Sequence, residues 1–226
     1  MREAEKELAA NAALNYIRSG MLVGLGSGST VACFIRQLGA KVAEGSIKNI
    51  SCVVASHSSE VLAKKAGLPL LSVNDISRID IGVDGADEFD DHLNLIKGGG
   101  GALVREKILA SLAGLFIIIA DSGKKAEILG SFKLPLEVFV FCSNPVLEKL
   151  AKKGYRPSLR KNTSDEIFVT DNGNYIIDLD LKQITDPYQL NEELCGIPGI
   201  IDNGLFLNYA GIILMAKAGE IFEFKR

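Results

Sequence analysis

The stretch Leu115-Phe116-Ile117-Ile118-Ile119-Ala120 is an unbroken apolar run. A continuous apolar strand of this kind fits burial on both faces, as in a parallel sheet covered by helices. The sequence on either side repeats the theme. Residues 101–112 read as a helix, and 79–83 as an apolar strand ending in Asp84. Further upstream, strand-like runs at 21–25 and 50–55 alternate with helical patterns at 3–17, 30–38 and 58–67, closed by Gly20, Gly39 and Gly67. A further short strand is expected at 93–96. This alternation predicts an α/β fold: a Rossmann-like, mostly parallel sheet with helices on both faces.

The texture changes after Gly130. A strand is expected at 138–141 and a helix at 144–153. A hairpin follows, 167–170 with 175–179, turned at Asp171-Asn172-Gly173-Asn174, where the Asn-Gly pair is a strong turn signal. A helix around 188–194 completes a small α+β inserted domain, 131–202. Residues 1–130 and 203–226 then form the α/β catalytic domain, with 204–208 and 210–215 returning the chain to the first sheet.

Composition narrows the function classes. A hydrophobic fraction of 47% in 226 residues supplies a core without disulfides or a structural metal. The net charge is −3, with both signs interspersed, which argues against a nucleic-acid surface. No apolar window reaches the length of a bilayer span. The N-terminal Met1-Arg2-Glu3-Ala4-Glu5-Lys6-Glu7 lacks the apolar run of a secretion signal, so a cytoplasmic protein is expected. Cys33, Cys52, Cys142 and Cys195 are far apart and read as reduced core thiols. His57 and His92 are isolated, which speaks against zinc.

Three motifs carry chemistry. Gly24-Leu25-Gly26-Ser27-Gly28-Ser29-Thr30 is a glycine-rich turn between strand and helix. Its hydroxyls and the N–H groups of a helix N-terminus suit a phosphate. The dinucleotide fingerprint fails because Ser29 stands where a glycine is needed, and a Walker loop fails for want of a lysine. A tight turn capped by Ser29 or Thr30 is the bland alternative. Asp84-Gly85-Ala86-Asp87-Glu88 places three carboxylates at the end of a strand, where α/β sheets bind ligands. Proton transfer, metal binding and a surface turn all remain open for it. Lys97-Gly98-Gly99-Gly100-Gly101, leading into Arg105-Glu106-Lys107, is entropically expensive backbone. It suggests N–H groups presented to an oxyanion, with Lys97 adding positive charge and Glu106 projecting toward the same pocket. A solvated charged face is the alternative for Arg105-Glu106-Lys107.

In this order and spacing the three motifs resemble ribose-5-phosphate isomerase of the A type. Ala120-Asp121-Ser122-Gly123-Lys124, Thr170-Asp171-Asn172-Gly173-Asn174 and Ile197-Pro198-Gly199 extend the resemblance over nearly the whole chain. It implies aldose–ketose interconversion of D-ribose 5-phosphate and D-ribulose 5-phosphate through an enediol(ate), with no metal and no organic cofactor. It implies Glu106 as general base, Asp84 in ring opening, and Asp87 holding sugar hydroxyls. Lys97 and the backbone of Gly98, Gly99 and Gly100 would stabilise the oxyanion. Ser27, Gly28, Ser29, Thr30, Lys124 and Lys6 would hold the phosphate, and Gly85 and Ala86 would line the substrate. A homodimer or homotetramer is implied as well.

The sequence departs from the family around Ser122-Gly123, and His57 stands in a serine-rich turn where a structural or solvent role is expected. Competing readings are a sugar-phosphate deaminase, which would use a His–acid arrangement; a sugar-phosphate-sensing regulator domain, which would carry a helix-turn-helix; and a CoA-transferase relative, which would use a glutamate nucleophile.

Overall fold

The computed structural model describes residues 2–226. In chain order its helices are α1 (Arg2–Leu14), α2 (Ser29–Ala43), α3 (His57–Lys65), α4 (Leu103–Leu112), α5 (Ser143–Lys152) and α6 (Pro187–Cys195). Its strands are β1 (Leu22–Leu25), β2 (Ser51–Val54), β3 (Ile79–Asp84), β4 (Glu88–Phe89), β5 (Leu95–Ile96), β6 (Ala113–Asp121) and β7 (Leu134–Val138). These are followed by β8 (Pro157–Leu159), β9 (Tyr175–Leu179), β10 (Ile200–Asn203), β11 (Leu205–Phe206), β12 (Ile212–Lys217) and β13 (Glu220–Lys225). The chain divides into two units: residues up to 86 with 105–124 and 208–226, and residues 87–104 with 125–207.

The first unit is built on a six-stranded sheet in the order β13-β12-β6-β3-β1-β2, parallel except for the β12–β13 pair. Strand β6 supplies the apolar run from which the fold was read. Successive side chains of a strand point to opposite faces, yet Phe116 through Ala120 are all buried, so both faces of the sheet are covered. Ile117 and Ile119 share one core with Val23, Leu25, Ile81, Val83 and the inner faces of α1 and α2. Small residues of α1, Ala9, Ala10 and Ala13, let that helix lie close to its neighbours.

The order of β2, β1, β3, β6 and β12 reverses direction between β1 and β3. In open α/β sheets, ligands bind beyond the C-terminal ends of the strands at such a switch point. Here those ends are Gly26 and Asp84, because Leu25 is paired with Val83.

The second unit holds a four-stranded antiparallel sheet, β10-β7-β9-β8, and a three-stranded one, β11-β5-β4. Its core gathers Leu134, Leu136 and Val138 of β7 with Ile177 and Leu179 of β9, Val146 and Leu150 of α5, and Leu194 of α6.

Several expectations are corrected. Helix α2 does not close at Gly39 but runs to Ala43; a Cβ at Gly39 would lie 2.7 Å from Ala66, so this glycine serves close packing rather than termination. The strand expected at 138–141 is β7, which ends at Val138; a 3₁₀ turn follows, and Phe141 is 99% exposed. Residues 167–170 form isolated bridges, Lys161 with Ile167 and Val169 with Tyr175, rather than a full hairpin strand. The Asn-Gly turn itself forms, with the Thr170 N–H donating to the Asn174 carbonyl at 2.9 Å. Leu205–Phe206 pairs with β5 and does not rejoin the first sheet. The unit boundaries differ from 130/131 and 202/203: residues 87–104, 125–130 and 203–207 group with the second unit.

Candidate active site

In the first unit, the glycine-rich turn leaves β1 and enters α2 at Gly28, whose φ of +94° suits glycine. Gly28 is the N-cap, not Ser29 or Thr30, and no side chain caps the helix. The first-turn N–H groups of a helix capped in this way can receive an anion.

The backbone of this turn is bound to Asp84. The Ser27 N–H donates to Asp84 Oδ1 at 3.1 Å, and the Gly85 N–H donates to the same oxygen at 2.7 Å. Asp84 is only 1% exposed. A Cβ at Gly26 would fall 1.9 Å from the Asp84 carboxyl carbon, so only glycine permits this approach.

A serine network braces the turn from the start of α3. Ser59 Oγ donates to the Gly26 carbonyl at 2.6 Å, and Ser56 Oγ lies 3.1 Å from Ser27 Oγ while accepting from the Ser59 N–H. Buried Ser56 and Ser59 carry no signal in the sequence beyond the serine-rich turn around His57. The His57 side chain is 67% exposed and lies 3.4 Å from Glu60.

Glu106 is 5% exposed in the first turn of α4, which begins at Leu103 rather than Gly101. Lys124 ends a 3₁₀ turn that follows β6. That turn is tied to α1, because Glu5 Oε2 accepts from both the N–H and the hydroxyl of Ser122, at 3.0 and 2.9 Å. These bonds, the backbone one foremost, hold the Glu5 carboxyl below the ordinary carboxylate range. Lys6, on the same helix, reaches Glu3 at 3.3 Å. The tie from Glu5 to the lysine-bearing turn spans 117 residues of sequence and left no local mark.

In the second unit, β4 and β5 pair Glu88 with Ile96 and Phe89 with Leu95, so Asp87 and Lys97 stand at the same end of the ladder. Asp87 Oδ2 accepts from the Gly99 N–H at 2.7 Å. Lys97 is 2% exposed, with Nζ 5.3 Å from the centroid of the Phe206 ring. A buried cation over an aromatic face recovers part of its lost hydration.

The acidic cluster is thereby sorted. Glu88 accepts from the N–H groups of Gly130 and Phe132, at 2.6 and 3.2 Å, and is a structural anchor. Asp84 belongs to the glycine-rich turn after β1, and Asp87 to the glycine loop.

The sequence profile described as Ribose 5-phosphate isomerase A (phosphoriboisomerase A) matches residues 51–220. The chain is 45% identical to the ribose-5-phosphate isomerase A of Thermosynechococcus vestitus, over 96% of this chain and 92% of that one. It is 45% identical to that of Listeria monocytogenes, over 98% and 99%. Among solved structures it resembles a D-ribose-5-phosphate isomerase in complex with phospho-erythronic acid, with a TM-score of 0.96, 38% identity and full coverage of both chains. The ribose 5-phosphate isomerase of Plasmodium falciparum matches with a TM-score of 0.95 and 37% identity, over 100% of this chain and 99% of that one.

Proposed function

The chain belongs to the ribose 5-phosphate isomerase A family and is an isomerase of the pentose phosphate pathway, acting on ribose 5-phosphate, and we propose that its proton transfer runs through Glu106. Glu106 removes the C2 proton of the open-chain aldehyde and returns it to C1, while a proton moves from O2 to O1. Atoms and electrons balance without an oxidant, a metal or an organic cofactor. Asp84 assists opening of the furanose ring. Asp87, which accepts the Gly99 N–H, holds sugar hydroxyls, and Lys97 with the loop Gly98-Gly99-Gly100 stabilises the enediolate oxygen through the Gly100 N–H. Ser27, Gly28, Ser29 and Thr30, with Lys124 and Lys6, grip the phosphate, and Gly85 and Ala86 line the sugar.

The observation that carries this reading is the junction of the phosphate turn with the Asp84 carboxylate at the switch point. Phosphate grip and ring-opening carboxyl group then share one rigid piece, so remote binding energy aligns the reacting carbons. The phospho-erythronic acid bound by the similar structure carries both a carboxylate and a phosphate, as an enediolate of ribose 5-phosphate would carry both an oxyanion and a phosphate.

Glu106→Gln tests the base. A positioned acid–base group contributes roughly 10²–10⁴-fold, so the variant should lose at least that much kcat in a ribose 5-phosphate to ribulose 5-phosphate assay while still binding substrate. Near-normal turnover would remove Glu106 from the role. The assay with EDTA present should retain full activity.

A cytoplasmic location and a homodimer or homotetramer complete the proposal. Among the described residues the four cysteines are in no disulfide, which suits a reducing compartment, and no helix is long and apolar enough to cross a membrane. Exposed Phe139, Val140 and Phe141 form an apolar run that association would cover, which sedimentation velocity reads directly.

A further inference from the structure

We propose that Arg160, held by Asp178, is a positioning residue that sets the orientation of the glycine loop toward the reaction's oxyanion. The proposal rests on the reading of the Gly98-Gly99-Gly100 loop as oxyanion-stabilising backbone, through the Gly100 N–H. Every residue it uses lies in the second unit.

The Gly98 carbonyl accepts from the Gly101 N–H at 2.9 Å, so residues 98–101 form a β-turn with Gly99 and Gly100 at its centre. Two central glycines leave such a turn indifferent between forms that differ by a flip of the central peptide. A flip would exchange carbonyl for N–H on the face offered to the substrate. Something must select one form. Arg160 Nη1 donates to the carbonyls of both Gly98 and Gly99, at 2.8 and 2.9 Å. The Gly99 carbonyl belongs to the central peptide. Because that peptide is trans and planar, its N–H, that of Gly100, is turned away from Arg160. A Cβ built at Gly100 would meet nothing within 4 Å, so this turn position borders open space. The preceding peptide is fixed at both ends: its carbonyl by Arg160 and its Gly99 N–H by Asp87.

Arg160 is itself immobilised. Its Nε donates to Asp178 Oδ2 at 2.9 Å, its Nη2 bonds the other carboxylate oxygen, and both side chains are under 15% exposed. The Phe168 ring, 5.9 Å from the guanidinium carbon, covers Gly101 so closely that a Cβ there would lie 2.3 Å from it. A planar fork that reaches a carboxylate on one side and two carbonyls on the other is a task for arginine and not for lysine.

Arg160→Ala, Arg160→Lys and Asp178→Asn test the inference. Kinetics with ribose 5-phosphate are compared with competitive inhibition by phospho-erythronic acid, whose carboxylate stands in for the enediolate oxygens, and by inorganic phosphate. Loss of positioning should lower kcat on the order of 10- to 100-fold in Arg160→Ala, with KM and inhibition by phosphate nearly unchanged. Inhibition by phospho-erythronic acid should weaken in parallel with kcat. Arg160→Lys should behave much as the alanine variant does, and added guanidinium should restore part of the activity of Arg160→Ala. If Arg160→Ala does not fold, Asp178→Asn, which keeps the guanidinium but loosens it, decides through the same split between kcat and KM. Wild-type kcat in the folded variants, or equal weakening of both inhibitors, overturns the proposal. Wild-type activity that survives in Glu106→Gln would instead overturn the underlying assignment of the site.

Discussion

At the scale of single residues, the site depends on atoms that are absent. Gly26 gives Asp84 room to receive the backbone of the glycine-rich turn, and an added methyl would be 1.9 Å from the carboxyl carbon. Gly26→Ala must therefore displace the carboxylate or the turn. Overpacking of this kind costs about 1–3 kcal/mol of stability. Misplacement by about an ångström costs on the order of 10²-fold in rate. Thermal melting and the isomerase assay on the same sample should show both losses, with the kinetic one larger than the stability loss explains. Normal turnover in Gly26→Ala would show that Asp84 need not sit where the structure holds it. Cys52, by contrast, has a thiol pushed up to about 12 by burial, which makes it a packing residue.

At the scale of elements, one buried carboxylate organises the turn after residue 170. Glu137 of β7 is fully buried, and its Oε1 accepts from Thr170 Oγ1, Asn172 Nδ2 and Asn174 Nδ2 at 3.0, 3.0 and 2.9 Å. Among the described residues its Oε2 has no hydrogen-bond partner. Glu137→Ala strands buried Thr170 and leaves a cavity, for a loss of about 2–4 kcal/mol. Glu137→Gln keeps one acceptor oxygen but sets an amide NH₂ where Oε2 has no partner, and should cost roughly 1–2 kcal/mol, less than the alanine variant. Denaturant unfolding reads the difference, and hydrogen exchange at Thr170 and Asn174 should accelerate in the alanine variant first.

This arrangement also shows what was legible in the sequence. The Asn-Gly turn could be read because its determinants are adjacent, and so could the motifs at 26–30, 84–88 and 97–101. The parallel sheet was legible because strands such as β6 are apolar on both faces. Arg160 and the serine brace were not, since their partners lie 62 and 33 residues away and a lone arginine or serine carries no signature. Strand β13 escaped because an edge strand half in water, Glu220-Ile221-Phe222-Glu223-Phe224-Lys225, has no clean alternation. Gly39 was misread as a stop because neighbouring Ala66, not the local sequence, gives it its purpose.

At the scale of the whole molecule, hydrogen-bonded carboxylates set the acid limit. Glu5 is lowered by the Ser122 backbone and hydroxyl, Asp80 by the Leu22 N–H and Arg78, Glu193 by Lys153 and Tyr155, and Glu223 by Tyr16 and Lys225. A carboxyl whose folded pKa is depressed stabilises the fold fully above its unfolded value and loses that contribution as pH falls through the folded one. The ordinary values are 4.5 for Glu and 3.8 for Asp, so the loss should begin below about pH 4.5. On the alkaline side, Tyr155 is pushed up to about 12 by burial and by Glu193. A raised tyrosine stabilises below its unfolded value of 10.0 and loses that contribution above it. Melting temperature should therefore be nearly flat from about pH 5 to 9 and fall on both sides. A steady decline from pH 7 to 5 would show that other groups govern acid stability.

The strand order of the large sheet has a consequence for synthesis. Strand β12 lies between β6 and β13, yet it comes from residues 212–217, after the whole of the second unit. On a ribosome, β6 emerges with one flank unclaimed and keeps it while 125–207 are made. The second unit has its last strand by residue 206 and can fold first. During that interval Ile117, Ile118 and Ile119 belong to an open sheet edge, the kind of template that draws in other nascent chains. Closure by the final hairpin ends the exposure, so a stall late in translation leaves that edge open for longest.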